Sequence, residues 1–146
     1  QIGELDMSSY ANAPKVTPGE ENYVTQATSF AAVRDGILYV SHHHMTYAKS
    51  SGGMNAYITA IDLASGNVIW RSRPLVSNAQ NFVITDDAII AGYGFTAEDD
   101  FVNILDRHTG KVVTSVKVKT GPSQLALGDG KLFVRAYNAD YVFQVK

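Results

Sequence analysis

The chain contains no cysteine among its 146 residues. Disulfides, thiolate metal sites and cysteine nucleophiles are therefore excluded, although this absence chooses no compartment. Charge of one sign is missing too: 12 Lys and Arg are interspersed with 14 Asp and Glu, for a net charge of -2. Such an even surface offers no footprint for a nucleic acid. No apolar run approaches the roughly 20 residues that span a bilayer, and the first residues lack the basic-then-apolar order of a secretory signal. The chain begins at Gln1 rather than Met, which suggests that a signal peptide or a larger precursor preceded it. There is no nucleophile-elbow pattern and no glycine-rich phosphate loop opening a helix, so hydrolase and nucleotide-binding readings have no support. No stretch has helical periodicity.

Strands and repeats are what the sequence does contain. Ala60-Ile61-Asp62-Leu63-Ala64-Ser65-Gly66-Asn67-Val68-Ile69-Trp70 aligns with Ile104-Leu105-Asp106-Arg107-His108-Thr109-Gly110-Lys111-Val112-Val113-Thr114, Asp on Asp and Gly on Gly. Upstream of each copy an apolar run reaches a turn and a strand-forming run leaves it: Phe30 to Asp35-Gly36, Phe82 to Asp87, and again Leu125 to Asp129-Gly130. A repeat of roughly 40 to 50 residues holding four short strands is the signature of propeller blades, not of helical solenoids. The fold class is therefore all-β, with about three four-stranded antiparallel blades and a ring incomplete in one chain.

Blade one (28–73) is expected to hold strands at 28–33, 37–42, 56–63 and 68–73. Blade two (81–118) holds them at 81–84, 88–92, 101–106 and 111–118, and blade three (124–146) at 124–127, 132–137 and 141–145. The chain stops where the fourth strand of blade three should follow. Segment 1–27 is read as an N-terminal stretch and linker. Its first seven residues place Leu5 and Met7 at strand spacing, and are a candidate for the missing closing strand.

The run Ala60-Ile61-Asp62, Ser65-Gly66 and Trp70 resembles the tryptophan-docking repeat of pyrroloquinoline-quinone (PQQ) type β-propellers, over about Phe30 to Lys146. Asp62 and Asp106 are read as turn acceptors, Gly66 and Gly110 as positive-φ positions, and Trp70 as a wedge between blades. Thr114 stands where the second copy's Trp belongs. The resemblance implies a periplasmic or secreted location. It does not bring the family's chemistry with it, because the calcium ligands and catalytic Asp of a quinone dehydrogenase cannot be placed here. No cofactor is therefore expected.

Candidate binding groups fall on loops 42–55, 93–100 and 137–140, the ends where propellers collect ligands. His42 and His44, two apart on a strand, have the spacing at which two imidazoles hold one metal ion, with Glu98, Asp99 or Asp100 as a third ligand if the loops approach. The plainer reading is a polar strand end running into solvent. Glu98, Asp99 and Asp100 with Tyr47, Tyr93 and Tyr137 form a candidate ligand surface, since tyrosine rings suit sugar and peptide contacts. The preferred function is a non-catalytic binding or scaffold module for a protein, peptide or glycan. The alternative is a piece of a quinone- or metal-dependent oxidoreductase. Three blades cannot close a ring, so partner blades are expected, from a homo-oligomer such as a head-to-tail pair of copies or from another chain.

Overall fold

A computed structural model describes residues 4–8 and 15–145. Among the described residues eleven strands form three antiparallel meanders. Blade one comprises β1 (Ala27–Arg34), β2 (Ile37–His43), β3 (Tyr57–Asp62) and β4 (Val68–Arg71); blade two comprises β5 (Phe82–Ile84), β6 (Ala88–Tyr93), β7 (Asp100–Asp106) and β8 (Val112–Val118). Blade three has β9 (Pro122–Gly128), β10 (Lys131–Ala136) and β11 (Asp140–Gln144), in the order β11-β10-β9. Helical structure among the described residues is of the 3-10 type, at Ser8, Glu21–Tyr23 and Ala48–Ser51.

Burial explains the composition of the strands. In β6 the run Ala-Ile-Ile-Ala-Gly-Tyr is buried almost throughout, because blade two has a neighbour on each face. By contrast β10, Lys-Leu-Phe-Val-Arg-Ala, alternates exposed and buried, because only one of its faces is covered. Two cores result. The first joins Tyr39, Ile58 and Ala60 of blade one to Phe82, Ile89 and Leu105 of blade two; the second joins Ile90, Val102 and Val118 to Leu125, Leu132 and Val134 of blade three. Each large side chain so buried contributes about 1.5–3 kcal/mol.

The hairpin turns follow local chemistry. Asp35-Gly36 and Asp129-Gly130 both place two successive residues at positive φ, the requirement of a two-residue hairpin loop of the primed type. The corresponding loop of blade two, Thr85-Asp86-Asp87, has no glycine and closes instead with the Thr85 N–H on the Ala88 carbonyl at 2.8 Å. The outer turns are duplicates. Asp62 Oδ1 accepts from the N–H and hydroxyl of Ser65, both at 2.7 Å, and Asp106 Oδ1 accepts from those of Thr109, both at 2.8 Å. These donors hold both carboxyls below the ordinary Asp range. Gly66 and Gly110 end the turns at φ 73 and 69.

The seam between blades one and two is crossed by the side chains of Trp70 and Arg107, and by that of Arg34. Trp70 donates its Nε1–H to the Arg107 carbonyl at 3.2 Å and lies over Gly110, where an added Cβ would stand 2.7 Å from the indole Cδ2. Arg107, buried, returns across the seam to the Asp35 carboxylate at 2.9 Å and to the Tyr39 hydroxyl at 3.4 Å. Its Nε–H donates to the Asp86 carbonyl at 2.6 Å. Arg34 pairs with Asp86 beside it.

The two end faces differ. On blade one, the face turned away from blade two is buried at its centre, at Val40, Thr59 and Ile61. Described residues of the N-terminal segment contact this blade: Leu5 stands beside Gly66 and Lys15 beside Gly52, Thr17 donates to the Ser50 and Lys49 carbonyls, and Gln26 donates to that of Met54. Glu4–Met7 are not in a strand, and Gln1–Gly3 lie outside the described residues. On blade three, the outward face leaves Phe133 44% and Val142 59% exposed. A head-to-tail pair of copies would bring the blade-three face against this one, where Val33 is 60% exposed although the centre is buried.

Candidate ligand-binding face

The histidine run is buried, not solvent-facing. His42, His43 and His44 are all at least nine-tenths buried. His42 Nε2 meets the Thr59 hydroxyl at 2.8 Å and its ring lies 5.7 Å from that of Tyr57. His44 Nε2 meets the Ser51 hydroxyl at 2.8 Å, and its peptide is clasped by Asn55, which accepts from the His44 N–H and donates to its carbonyl. His43 Nε2 is directed to Met45 Sδ. The two imidazoles thus hold different hydroxyls, and no trio of His, Asp or Glu among the described residues converges in metal-ligand geometry. Burial pushes the His42 imidazole down to about 4, with Arg71 and His43 adding to the effect. Burial lowers His43 and His44 as well, and Glu98 partly opposes the shift at His44. All three rings are neutral at pH 7.

The loops of blades one and two do approach one another, and Glu98 is the bridge. Its Oε1 accepts the Ala48 N–H at 2.6 Å and its Oε2 accepts the Tyr93 hydroxyl. Tyr93 is only 3% exposed, and burial followed by the Glu98 bond raises its pKa. Tyr93 and Glu98 therefore fasten the loops together, and Glu98 also lines, with Asp99, Asp100, Lys117 and Lys119, a recess of about 660 Å³. Tyr47 packs edge-on against Phe95 at 5.0 Å, with the Lys49 ammonium 5.3 Å from its ring. Asp99 pairs with Lys117 at 2.7 Å.

Asp100 and Tyr137 also share a second recess. A recess of about 540 Å³ between the loops of blades two and three is walled by Phe95, Asp100, Lys119, Thr120 and Tyr137. Its floor needs glycine: a Cβ on Gly94 would stand 2.6 Å from the Cα of Gly121. The Asp100 carboxyl is raised, by burial first and then by Asp99, with Lys117 opposing. Thr120 Oγ1 is buried without a hydrogen-bond partner, and the Tyr137 ring is 90% exposed. An aromatic platform, a carboxyl and an ammonium thus line one opening. Sequence reasoning named Asp100 and Tyr137 but missed Phe95 and Lys119, whose local surroundings give no signal. A larger recess, about 650 Å³, borders Gln124, Ala126, Phe133 and Val142 of blade three, away from these loops.

No family profile matches the sequence, and no curated protein does. Among solved structures the chain is similar to BamB from Moraxella catarrhalis, with a TM-score of 0.53 and 15% identity over 80% of this chain and 42% of that one. The chain thus spans less than half the length of that protein. The computationally designed proteins Ika4 and Ika8 are more distant, each with a TM-score of 0.39 and 11% identity over 82% of this chain; the match covers 92% of Ika4 and 46% of Ika8. At 15% identity the likeness to BamB, a β-propeller, bears on architecture alone, and it agrees with the three unclosed sheets: this chain has the fold of β-propeller blades.

Proposed function

We propose that the chain is a non-catalytic β-propeller binding module whose contact surface is the recess between the loops of blades two and three. The observation that carries this reading is the Tyr137 ring, 90% exposed at the mouth of a recess that also holds a carboxyl and an ammonium group. Such a mixture of flat ring and hydrogen-bonding groups suits a glycan or an extended peptide. The PQQ-type repeat assignment and a periplasmic or secreted location belong to the same proposal, supported by the Asp-Gly-Trp geometry of blade one. No helix among the described residues is long and apolar enough to cross a membrane. Further blades, from a second copy or another polypeptide, are proposed to stack on the exposed face of blade three. Titrating isotope-labelled protein with neutral and charged oligosaccharides and with short peptides tests the binding reading. Resonances of Phe95, Lys119 and Tyr137 should move together for one class, and those of Phe95 and Lys119 should stay still in Tyr137→Ala. Binding that maps elsewhere, or that survives Tyr137→Ala, would remove the recess from consideration.

A further inference from the structure

Corresponding strands build the two seams between neighbouring blades, yet the seams close differently. In the first, Trp70 stands opposite Ala60 in register, with its ring centroid 5.9 Å from that of Tyr39, and Arg107 crosses to Asp35. In the second, Thr114 stands opposite Ile104 in the register position of Trp70. Val145 takes the place of Arg107: its N–H bonds the Gly130 carbonyl as that of Arg107 bonds the Asp87 carbonyl. Both closing groups of the first seam, a ring and a guanidinium, are therefore replaced by small uncharged side chains in the second.

A groove of about 440 Å³ opens there, between Ile90, Ile104 and Val116 of blade two and Phe143 of blade three, with Asp87 at its rim. Asp87 is exposed and forms no ion pair among the described residues. Val116 is 37% exposed, so apolar wall faces water.

We infer that this second seam is a docking site for a partner polypeptide that presents an aromatic side chain beside a basic one. The first seam shows what fills such a wedge, and the charge at the rim selects the sign of the neighbour. The ring takes the position that Trp70 holds between blades one and two, buried against Ile90, Ile104 and Phe143. The cation meets Asp87, giving orientation more than affinity. This site is separate from the loop recess, and neither reading depends on the other.

The probe is N-acetyl-Trp-Arg-amide, followed by methyl NMR of the whole chain. Expected are shifts at the methyls of Ile104 and Val116, at millimolar peptide. Thr114→Trp, which supplies the ring from the chain itself, should abolish them. Asp87→Asn, at an exposed loop, should weaken binding roughly two- to fivefold, the worth of an exposed ion pair, and N-acetyl-Trp-Glu-amide should bind more weakly than the Arg peptide. Should Thr114→Trp fail to fold, the Asp87→Asn and Glu-peptide comparisons decide alone. Methyls that do not respond, or a Glu peptide that binds as well as the Arg peptide, would overturn the proposal.

Discussion

The indole N–H of Trp70 reaches the Arg107 carbonyl at 3.2 Å while the ring rests on Gly110. The paired glycine of blade one, Gly66, has a matching backbone but only Leu5 nearby, 3.8 Å from an added Cβ. Both positions charge a side chain about 1–2 kcal/mol for the left-handed conformation. Gly110→Ala adds a collision with the indole, so its total should reach roughly 3 kcal/mol or more. Urea unfolding of the two alanine variants separates the effects, and equal costs would show that the ring is not wedged there.

Arg107 should matter far more than the carboxylate it meets. Arg107→Met removes a buried side chain's bonds to the Asp86 carbonyl and the Tyr39 hydroxyl and should cost about 2–3 kcal/mol. Asp35 has a side chain 65% exposed, and Asn tolerates its positive φ, so Asp35→Asn should cost less than about 1 kcal/mol. If the two substitutions cost the same in thermal unfolding, the seam is held by the ion pair and not by the buried donors.

Stability should fall with acid in two stages. The His42 imidazole titrates near 4 when folded and near 6.5 when unfolded. The unfolded state therefore takes up its proton first, and stability complete above pH 6.5 is lost as pH falls toward 4. The loss from His42 is roughly 3 kcal/mol at most, and the lowered His43 and His44 act in the same direction. The depressed Asp62 and Asp106 carboxyls bring a further loss below about pH 4. Unfolding free energies measured from pH 4 to 8 should slope between 6.5 and 4 in the parent and slope less in His42→Gln. A flat parent curve contradicts the burial of these rings.

Removing Glu98 should loosen the loop that carries Ala48. Glu98→Ala strips the acceptor from the Ala48 N–H and from the buried Tyr93 hydroxyl, at a cost of about 1–3 kcal/mol. Hydrogen exchange at Ala48 should accelerate at least about tenfold, a gap of 1.4 kcal/mol or more. Adding Tyr93→Phe should recover part of the stability, because the orphaned hydroxyl goes with it. Unchanged exchange at Ala48 means that the two loops hold together by other means.

The parts legible in the sequence are those written within a few positions. Asp62 with Ser65, Asp106 with Thr109, and the Asp-Gly hairpins each complete their bonding inside one turn, so their spacing reveals them. Arg107 is different: its partners Asp35 and Tyr39 lie in another blade, and nothing near Arg107 distinguishes it from a surface turn residue. The histidines misled for the same reason, since a polar run at a strand end reads as exposed until Thr59, Ser51 and Asn55 are seen to receive it. Tyr93 and Tyr137 are equally good strand formers, yet one is 3% and the other 90% exposed. Which loop folds over which ring is decided by packing, not by propensity.

The unlike end faces give the molecule a direction. A stack of blades with two bare ends can lengthen from either and can meet copies of itself without limit. Here the Val40, Thr59 and Ile61 centre of blade one is already buried, while Phe133 and Val142 of blade three meet water. A neighbour at blade three gains by covering apolar surface that water now touches, whereas one at the centre of blade one must first displace what lies on it.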